Sequence, residues 1–366
     1  MRDEKIVESI NVSLKALRDF EARQERKDFG DWEGRFLREM GRLIDEKWQV
    51  RPEPLKTFRG RHLFVADRPS VPLKGFYHPS WLFYEMRSFL NIFLGSQRGG
   101  IREALDAYDV VVEEEFLALL RKYPTPDIGR PLKIKHDGFV FTNRYIRHIY
   151  LLGLFQRHLA HKLPEEAVMI DIGSSYGIFS SLIKQEYPKT KHVLVDLSGQ
   201  LILAHYYLMK LLPQAKIAGF HEVAAAGRID KDWISQYDFV LIPTSMFGLL
   251  SSGAVDCVTN FISLSEMSRH WFFTYVQSPV FAGAPFLFTV NRYDSYPTYA
   301  NDLTVLDYPL DQYEKILMRT CPFLQNYYVQ KGIFGYKRIP YPSQFFQFMG
   351  KRKALSGCSM QENNNP

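Results

Sequence analysis

The segment Val168-Met-Ile-Asp-Ile-Gly173-Ser-Ser-Tyr-Gly177-Ile-Phe179 restricts the fold of this chain more than any other. Its opening run, apolar but for Asp171, is the near-continuous kind that a strand buried on both faces shows, as in a parallel sheet. Two glycines follow, and glycine reaches φ above zero without a Cβ penalty. From Ile178 to Tyr187 the pattern is helical. Strand, glycine turn and helix in that order open a mononucleotide-binding α/β unit. Four more apolar runs follow, His192 to Asp196, Phe239 to Ile242, Asp256 to Ile262 and Phe286 to Val290. Helical patterns after the first, second and fourth of the five runs predict a parallel sheet with crossover helices. Residues Gln214 to Tyr237 fit no single element and are expected to be an insertion, and no internal repeat is visible.

The first third of the chain has a different texture. Ile6, Ile10, Leu14 and Leu17, then Phe36, Met40 and Leu43, stand at helical spacing between charges. A Pro-rich stretch with little periodicity, Arg51 to Pro79, precedes a second helical block from Trp81 to Tyr123 and the turn Pro124-Thr-Pro-Asp127. The expected organisation is therefore a helical amino-terminal domain over 1–125, placed to cap an acceptor, an α/β cofactor domain over 126–351, and a disordered tail over 352–366. The basic run Gly350-Lys-Arg-Lys353 could touch phosphate or a membrane surface; its plainer reading is part of a solvated tail.

Several function classes are excluded at this level. The longest apolar runs, such as Ile149 to Phe155 and Leu201 to Leu212, fall short of the ~18 residues a membrane span needs. The first residues mix acids with bases and lack the apolar stretch of a secretory signal, so a cytoplasmic protein is expected. Three cysteines, Cys257, Cys321 and Cys358, form neither a disulfide framework nor a CxxC knuckle. The net charge of +6 is modest and scattered, which permits an anionic partner without demanding one, and no nucleic-acid partner is expected. His158, His161 and Glu165 do not make a convincing zinc set, so no metal is expected.

Charge around the turn narrows the ligand. Ser175 and Ile178 break the GxGxxG pattern that pyrophosphate binding uses. Asp171 precedes the turn, which would repel a phosphate but suits a ligand carrying a sulfonium and an ammonium group. That favours S-adenosyl-L-methionine over a nicotinamide dinucleotide. Asp196 ends the second strand 23 positions after Gly173, near the spacing at which such folds hold ribose hydroxyls. Each acid has a plainer reading. Asp171 is also suited to a strand-end turn, and Asp196 to an N-cap, helped by Ser198, for a helix from Gln200 to Leu212.

Two further stretches, Asp238-Phe-Val-Leu-Ile-Pro-Thr-Ser245-Met246 and Asn260-Phe-Ile-Ser263-Leu-Ser-Glu266-Met267, follow strands whose carboxyl ends join the same crevice, and Asn291-Arg292 follows the fifth strand. With the glycine turn and the acid on the second strand, this series resembles class I methyltransferases, and more narrowly the bacterial sugar O-methyltransferases, over residues 140–295. The resemblance implies a Rossmann-like α/β fold and S-adenosyl-L-methionine as cofactor. It also implies that Gly173, Ser174, Tyr176 and Gly177 line its methionine and ribose portion, that Ser245 and Met246 flank the adenine, and that Asn260 faces the reacting methyl group. Class I turns often read GxGxG; here Ser175 holds the middle position. Met246 is equally suited to filling the core.

The expected reaction moves a methyl group to a hydroxyl of a sugar or other small-molecule acceptor. Alternatives are O- or N-methylation of another acceptor class, a non-catalytic protein that keeps the fold for binding, and, less favoured, a dinucleotide oxidoreductase. Glu266 and His270 follow the fourth strand, and i, i+4 spacing would set both on one helix face beside the methyl group as orienting carboxylate and general base. The plainer reading makes Ser263-Leu-Ser-Glu266 a capping box and His270 a surface residue packed by Trp271.

Overall fold

The computed structural model describes the backbone of residues 3–23, 41–59, 96–295, 299, 301–322, 326–332, 335–341 and 344–354, with side chains outside 96–102 and 326–341. Among the described residues, the helices α1 (Asp3–Glu21), α2 (Pro52–Thr57), α3 (Ser96–Glu113) and α4 (Leu117–Lys122) come first. A hairpin of β1 (Ile134–His136) and β2 (Phe139–Phe141) leads into α5 (Asn143–His158), which Thr142 caps by accepting from the Tyr145 N–H. Residues 24–40 and 60–95 lie outside the described set, and with them parts of the expected amino-terminal helices; so do 355–366 of the expected tail.

The α/β portion then runs β3 (Val168–Ile172), α6 (Ile178–Glu186), β4 (Lys191–Asp196), α7 (Ser198–Leu211), β5 (Ile217–Ala218), α8 (Phe220–Ala226), α9 (Lys231–Ser235) and β6 (Phe239–Pro243). It continues through β7 (Cys257–Phe261), α10 (Arg269–Val276), α11 (Pro279–Gly283) and β8 (Phe286–Arg292). The strands β9 (Tyr313–Thr320), β10 (Asn326–Gly332), β11 (Gly335–Tyr341) and β12 (Phe345–Arg352) complete it.

Eight strands form one sheet in the order β5-β6-β4-β3-β7-β8-β12-β9. Its first six are parallel, and β12 runs antiparallel between β8 and β9. Strands β3 and β6 are buried at every residue, as the continuous apolar runs predicted. The chain winds outward from β3 through β4 and β6, then returns to β7 and β8 on the other side. Strand order therefore reverses at β3, the place where sheets of this kind open a ligand crevice at the carboxyl ends of their strands. This is the Rossmann-like α/β fold expected from the sequence, with a largely helical amino-terminal region.

Three expectations change. Residues 214–237 are not a separate insertion; they supply the edge strand β5 and the short helices α8 and α9 that return the chain to β6. The sequence reading did not anticipate the antiparallel β9 to β12. Gly350, Lys351 and Arg352 belong to β12, paired with β8 on one side and β9 on the other, so the basic run begins inside the sheet rather than in a tail.

One continuous apolar core extends from Ile6 to Met349. Helix α1 lies on α8 and α7, burying Ile6, Ile10, Leu14 and Leu17, and Asp3 pairs with Lys210 at 2.8 Å. That cover explains why α7 is buried along almost its whole length. Among the described residues, no helix is long and apolar enough to cross a membrane.

Candidate functional site

The turn after β3 has three residues in the left-handed region: Gly173 at φ 75°, Ser175 at 53° and Gly177 at 80°. The two glycines fit the expected need for positive φ. The close approach at Gly173 is made by the protein itself, however. A Cβ there would run into the Ser263 side chain, and one at Gly177 would come within 2.8 Å of Leu194. Ser175 has no glycine's freedom, and a non-glycine residue in this region carries strain of ~1 kcal/mol or more. Two contacts hold it. Its N–H donates to Asp196 Oδ2 at 2.6 Å, and its Oγ accepts from Arg144 Nη1 at 3.2 Å.

Asp196 closes β4 beside this turn, its Oδ1 accepting from the Leu197 N–H at 2.7 Å. It does not cap the following helix. That helix starts at Ser198, Leu197 occupies the N-cap position, and no side chain caps it. Asp171 is buried below the turn, where Thr259 Oγ1 donates to its Oδ1 at 3.1 Å. Burial pushes both carboxyls up to about 7, and the charge of Asp196 adds to the rise at Asp171. Hydrogen bonds from Ser175 and Leu197 and the charge of Arg144 act against the rise at Asp196. The floor of the crevice thus holds two acids that ionise more readily when a cation comes near.

The other expected cofactor residues divide by what their side chains touch. Ser174 is 7% exposed, and its Oγ is buried without a hydrogen-bond partner. Tyr176 is fully buried, its ring edge-to-face with Phe58 at 5.2 Å and Tyr207 at 5.0 Å, so only its backbone is left to line a ligand. Met246 is sunk in the core. Ser245 donates to Glu21 of α1 at 3.3 Å and borders a cavity of about 420 Å³ shared with Thr244, Phe247 and Trp271. Tyr275 of α10 reaches the same region, donating to Thr244 Oγ1 at 3.2 Å.

Asn260 is fully buried and acts as a strut. Its Nδ2 donates to Ile172 O and to Ser263 Oγ, both at 2.6 Å, while its Oδ1 accepts from Leu264 N at 3.3 Å and Asn291 Nδ2 at 2.7 Å. An amide side chain offers two donors and two acceptor sites, and all four are engaged here. The end of β3, the loop after β7 and the end of β8 are tied together at this residue.

Glu266 and His270 do not share a helix face. Glu266 ends a 3₁₀ turn, Ser263–Glu266, and Met267 is extended; Ser268 then caps α10 by accepting from the Trp271 N–H, so His270 begins a new helix. The capping box is absent as well, because Ser263 Oγ donates to Ile172 O at 3.1 Å. Glu266 instead pairs with Arg292 at 2.9 Å, side chains 28% and 7% exposed, and Tyr299 bonds to it as well. His270 is exposed and lies edge-to-face with Trp271 at 5.6 Å. Arg292 Nη1 also donates to Ser265 Oγ at 3.2 Å.

Sequence reasoning missed Arg144, Thr259 and Tyr299. Arg144 sits 31 residues before Ser175 on a different element, and no short motif joins them. Among the described residues, no three or more of His, Cys, Asp and Glu cluster as metal ligands. Glu165, once grouped with His158 and His161, pairs with Lys189 at 2.9 Å.

No family model and no curated protein sequence matches the chain. Solved structures similar to it include the B. subtilis tRNA methyltransferase TrmK, at 10% identity and a TM-score of 0.29 over 53% of this chain and 63% of that one. TehB from Haemophilus influenzae is similar at 8% identity and a TM-score of 0.35, over 56% of this chain and 62% of that one. Geranyl diphosphate C-methyltransferase from Streptomyces coelicolor, solved with S-adenosyl-L-homocysteine, shows 11% identity and a TM-score of 0.36 over 56% and 80%. The match spans less than two thirds of the first two structures' length. The fold assignment above rests on strand order and direction.

Proposed function

We propose that the crevice at β3 and β4 binds S-adenosyl-L-methionine and that the protein transfers its methyl group to a hydroxyl of a sugar or another small-molecule acceptor. The observation that carries the reading is the meeting of Asp196 with the glycine turn at the reversal of strand order, above buried Asp171. The donor set suits the group: Asp171 for its cationic centres, Asp196 for its ribose hydroxyls, and in Ser174 a buried hydroxyl without a partner. When bound, S-adenosylmethionine supplies an electrophilic methyl carried on a sulfonium.

The chain's own residues then have these roles. Asp196 grips ribose hydroxyls with the lone pairs its two backbone bonds leave over. Gly173, Ser174, Gly177 and the Tyr176 backbone line the methionine and ribose portion, and Ser245 faces the adenine end, with Met246 behind it in the core. Asn260 holds the floor rigid near the methyl group. On the acceptor side, Glu266, fixed by Arg292 and Tyr299, accepts from the acceptor hydroxyl and orients it; His270, near the rim, takes the proton into solvent. The helical amino-terminal region covers the acceptor end.

The test is transfer of labelled methyl from S-adenosylmethionine to acceptor panels of sugars, nucleotide sugars, phenols and amines, read by mass spectrometry. Methylation of a sugar hydroxyl is expected. Products methylated only on nitrogen would contradict the hydroxyl assignment, and no methylation by protein that binds the cofactor would favour a binding role.

A further inference from the structure

We infer that Arg144 is the receptor for a ligand carboxylate at the glycine turn, which on the cofactor reading above is the carboxylate of the methionine end. Turns of this kind often hold anions through backbone N–H groups. Here four of those groups are already engaged. Gly173 N and Ser174 N donate to Val195 O at 2.7 and 3.3 Å, Ser175 N to Asp196 at 2.6 Å, and Gly177 N to Ser174 O at 3.0 Å. Asp171 and Asp196 lie beneath the turn and repel a second anion. A zwitterionic ligand therefore needs its positive counter-charge from a side chain.

Arg144 supplies one. It is the second residue of α5, whose start is fixed by the Thr142 cap. Its guanidinium reaches across to donate to Ser175 Oγ at 3.2 Å, and its charge bears on Asp196. A guanidinium presents paired N–H groups in a plane that matches a carboxylate, and it keeps its charge throughout the working pH range. The adjacent hydroxyl of Ser174, buried and without a partner, is a second donor that a ligand oxygen would satisfy. A cation and two acids gathered around one turn favour an amino-acid zwitterion over a phosphate.

The competing role for Arg144 is a clamp that merely holds Ser175 in its left-handed conformation. Calorimetry on the full-length protein separates the two, using S-adenosylhomocysteine and its decarboxylated analogue, which lacks only the carboxylate. Arg144→Ala is expected to weaken S-adenosylhomocysteine about 10- to 100-fold, the range for hydrogen bonds to a charged group, and to change affinity for the analogue less than about 3-fold. Arg144→Lys should recover part of the loss. Arg144→Gln, which keeps a donor to Ser175, serves if the alanine variant does not fold; it should show the same selective loss. Equal losses for both ligands would make Arg144 a clamp and overturn the proposal, as would unchanged affinity for S-adenosylhomocysteine. Wild-type protein that binds neither ligand would overturn the cofactor reading itself, a result distinct from failure of the Arg144 assignment.

Discussion

The backbone N–H of Ser175 donates to the carboxylate of Asp196 at 2.6 Å, locking the turn after β3 to the end of β4. The same carboxylate that the proposed function assigns to ribose thus also fixes the backbone of the loop beneath the ligand. On that proposal, loop shape and ligand affinity are expected to be coupled through one side chain.

Replacing Asp196 consequently has two effects that can be separated. Asp196→Ala should lower cofactor affinity by about 1.5–3 kcal/mol and lower stability as well, because the partly buried Ser175 N–H loses its acceptor. Asp196→Asn retains an oxygen for that N–H and should keep stability near wild type while still losing affinity. Urea melts and calorimetry on the same samples check this; unchanged affinity in both variants would remove Asp196 from the cofactor site.

The positive φ of Ser175 predicts an asymmetry between its substitutions. Ser175→Gly should fold at least as stably as wild type, since glycine removes the strain while losing one partly buried hydrogen bond, that from Arg144. Ser175→Val should be less stable by about 1–3 kcal/mol, because a β-branched residue is strongly disfavoured there. Equal stability of the two in urea titrations would mean the turn adopts another conformation in solution.

Asp171 and Asp196, both pushed up to about 7 by burial, give a pH dependence with a definite sign. A folded-state pKa above the ordinary value of 3.8 means the folded protein holds these protons more tightly than the unfolded chain. Their contribution to stability is full below about pH 3.8 and is lost as pH rises through about 7. Asp171→Asn removes this loss, so its melting temperature should gain on wild type between pH 5 and pH 8. A cationic ligand favours the ionised acids, so cofactor affinity should fall as pH drops below about 7. A difference in melting temperature that stays flat across this range would contradict the assignment.

Glu266 and His270 stand on different elements, and their variants should behave differently. Glu266→Gln should cut turnover by about 10²-fold with cofactor affinity intact, and should cost some stability because Arg292 is left buried beside a neutral partner. His270→Ala, at an exposed position, should leave melting unchanged and lower turnover by about 10²-fold. Stability loss with proportionate activity loss in Glu266→Gln would reduce that residue to a structural ion pair.

The central strands were legible because a strand buried on both faces leaves a nearly continuous apolar run, broken only by Asp171 in Val168 to Ile172 and unbroken in Phe239 to Ile242. Strand β9, Tyr313 to Thr320, is largely open to solvent and mixes charges with Ile316, Leu317 and Met318, which blurs both strand and helix patterns. The place of Asn260 beside the methyl group was implied by the resemblance alone, and its hydrogen-bond partners here are internal. The break between Glu266 and His270 had a visible signal in Ser268, an N-cap residue before Trp271, that helical spacing alone overrode. Arg144 had none, since its contact with Ser175 exists only in the folded chain.

The most direct measurement is calorimetric titration of the full-length protein with S-adenosylmethionine and, separately, with NADH. The expected result is saturable binding of one S-adenosylmethionine per chain, weakened by Asp196→Asn, and no binding of NADH. Binding of NADH with none of S-adenosylmethionine would contradict it.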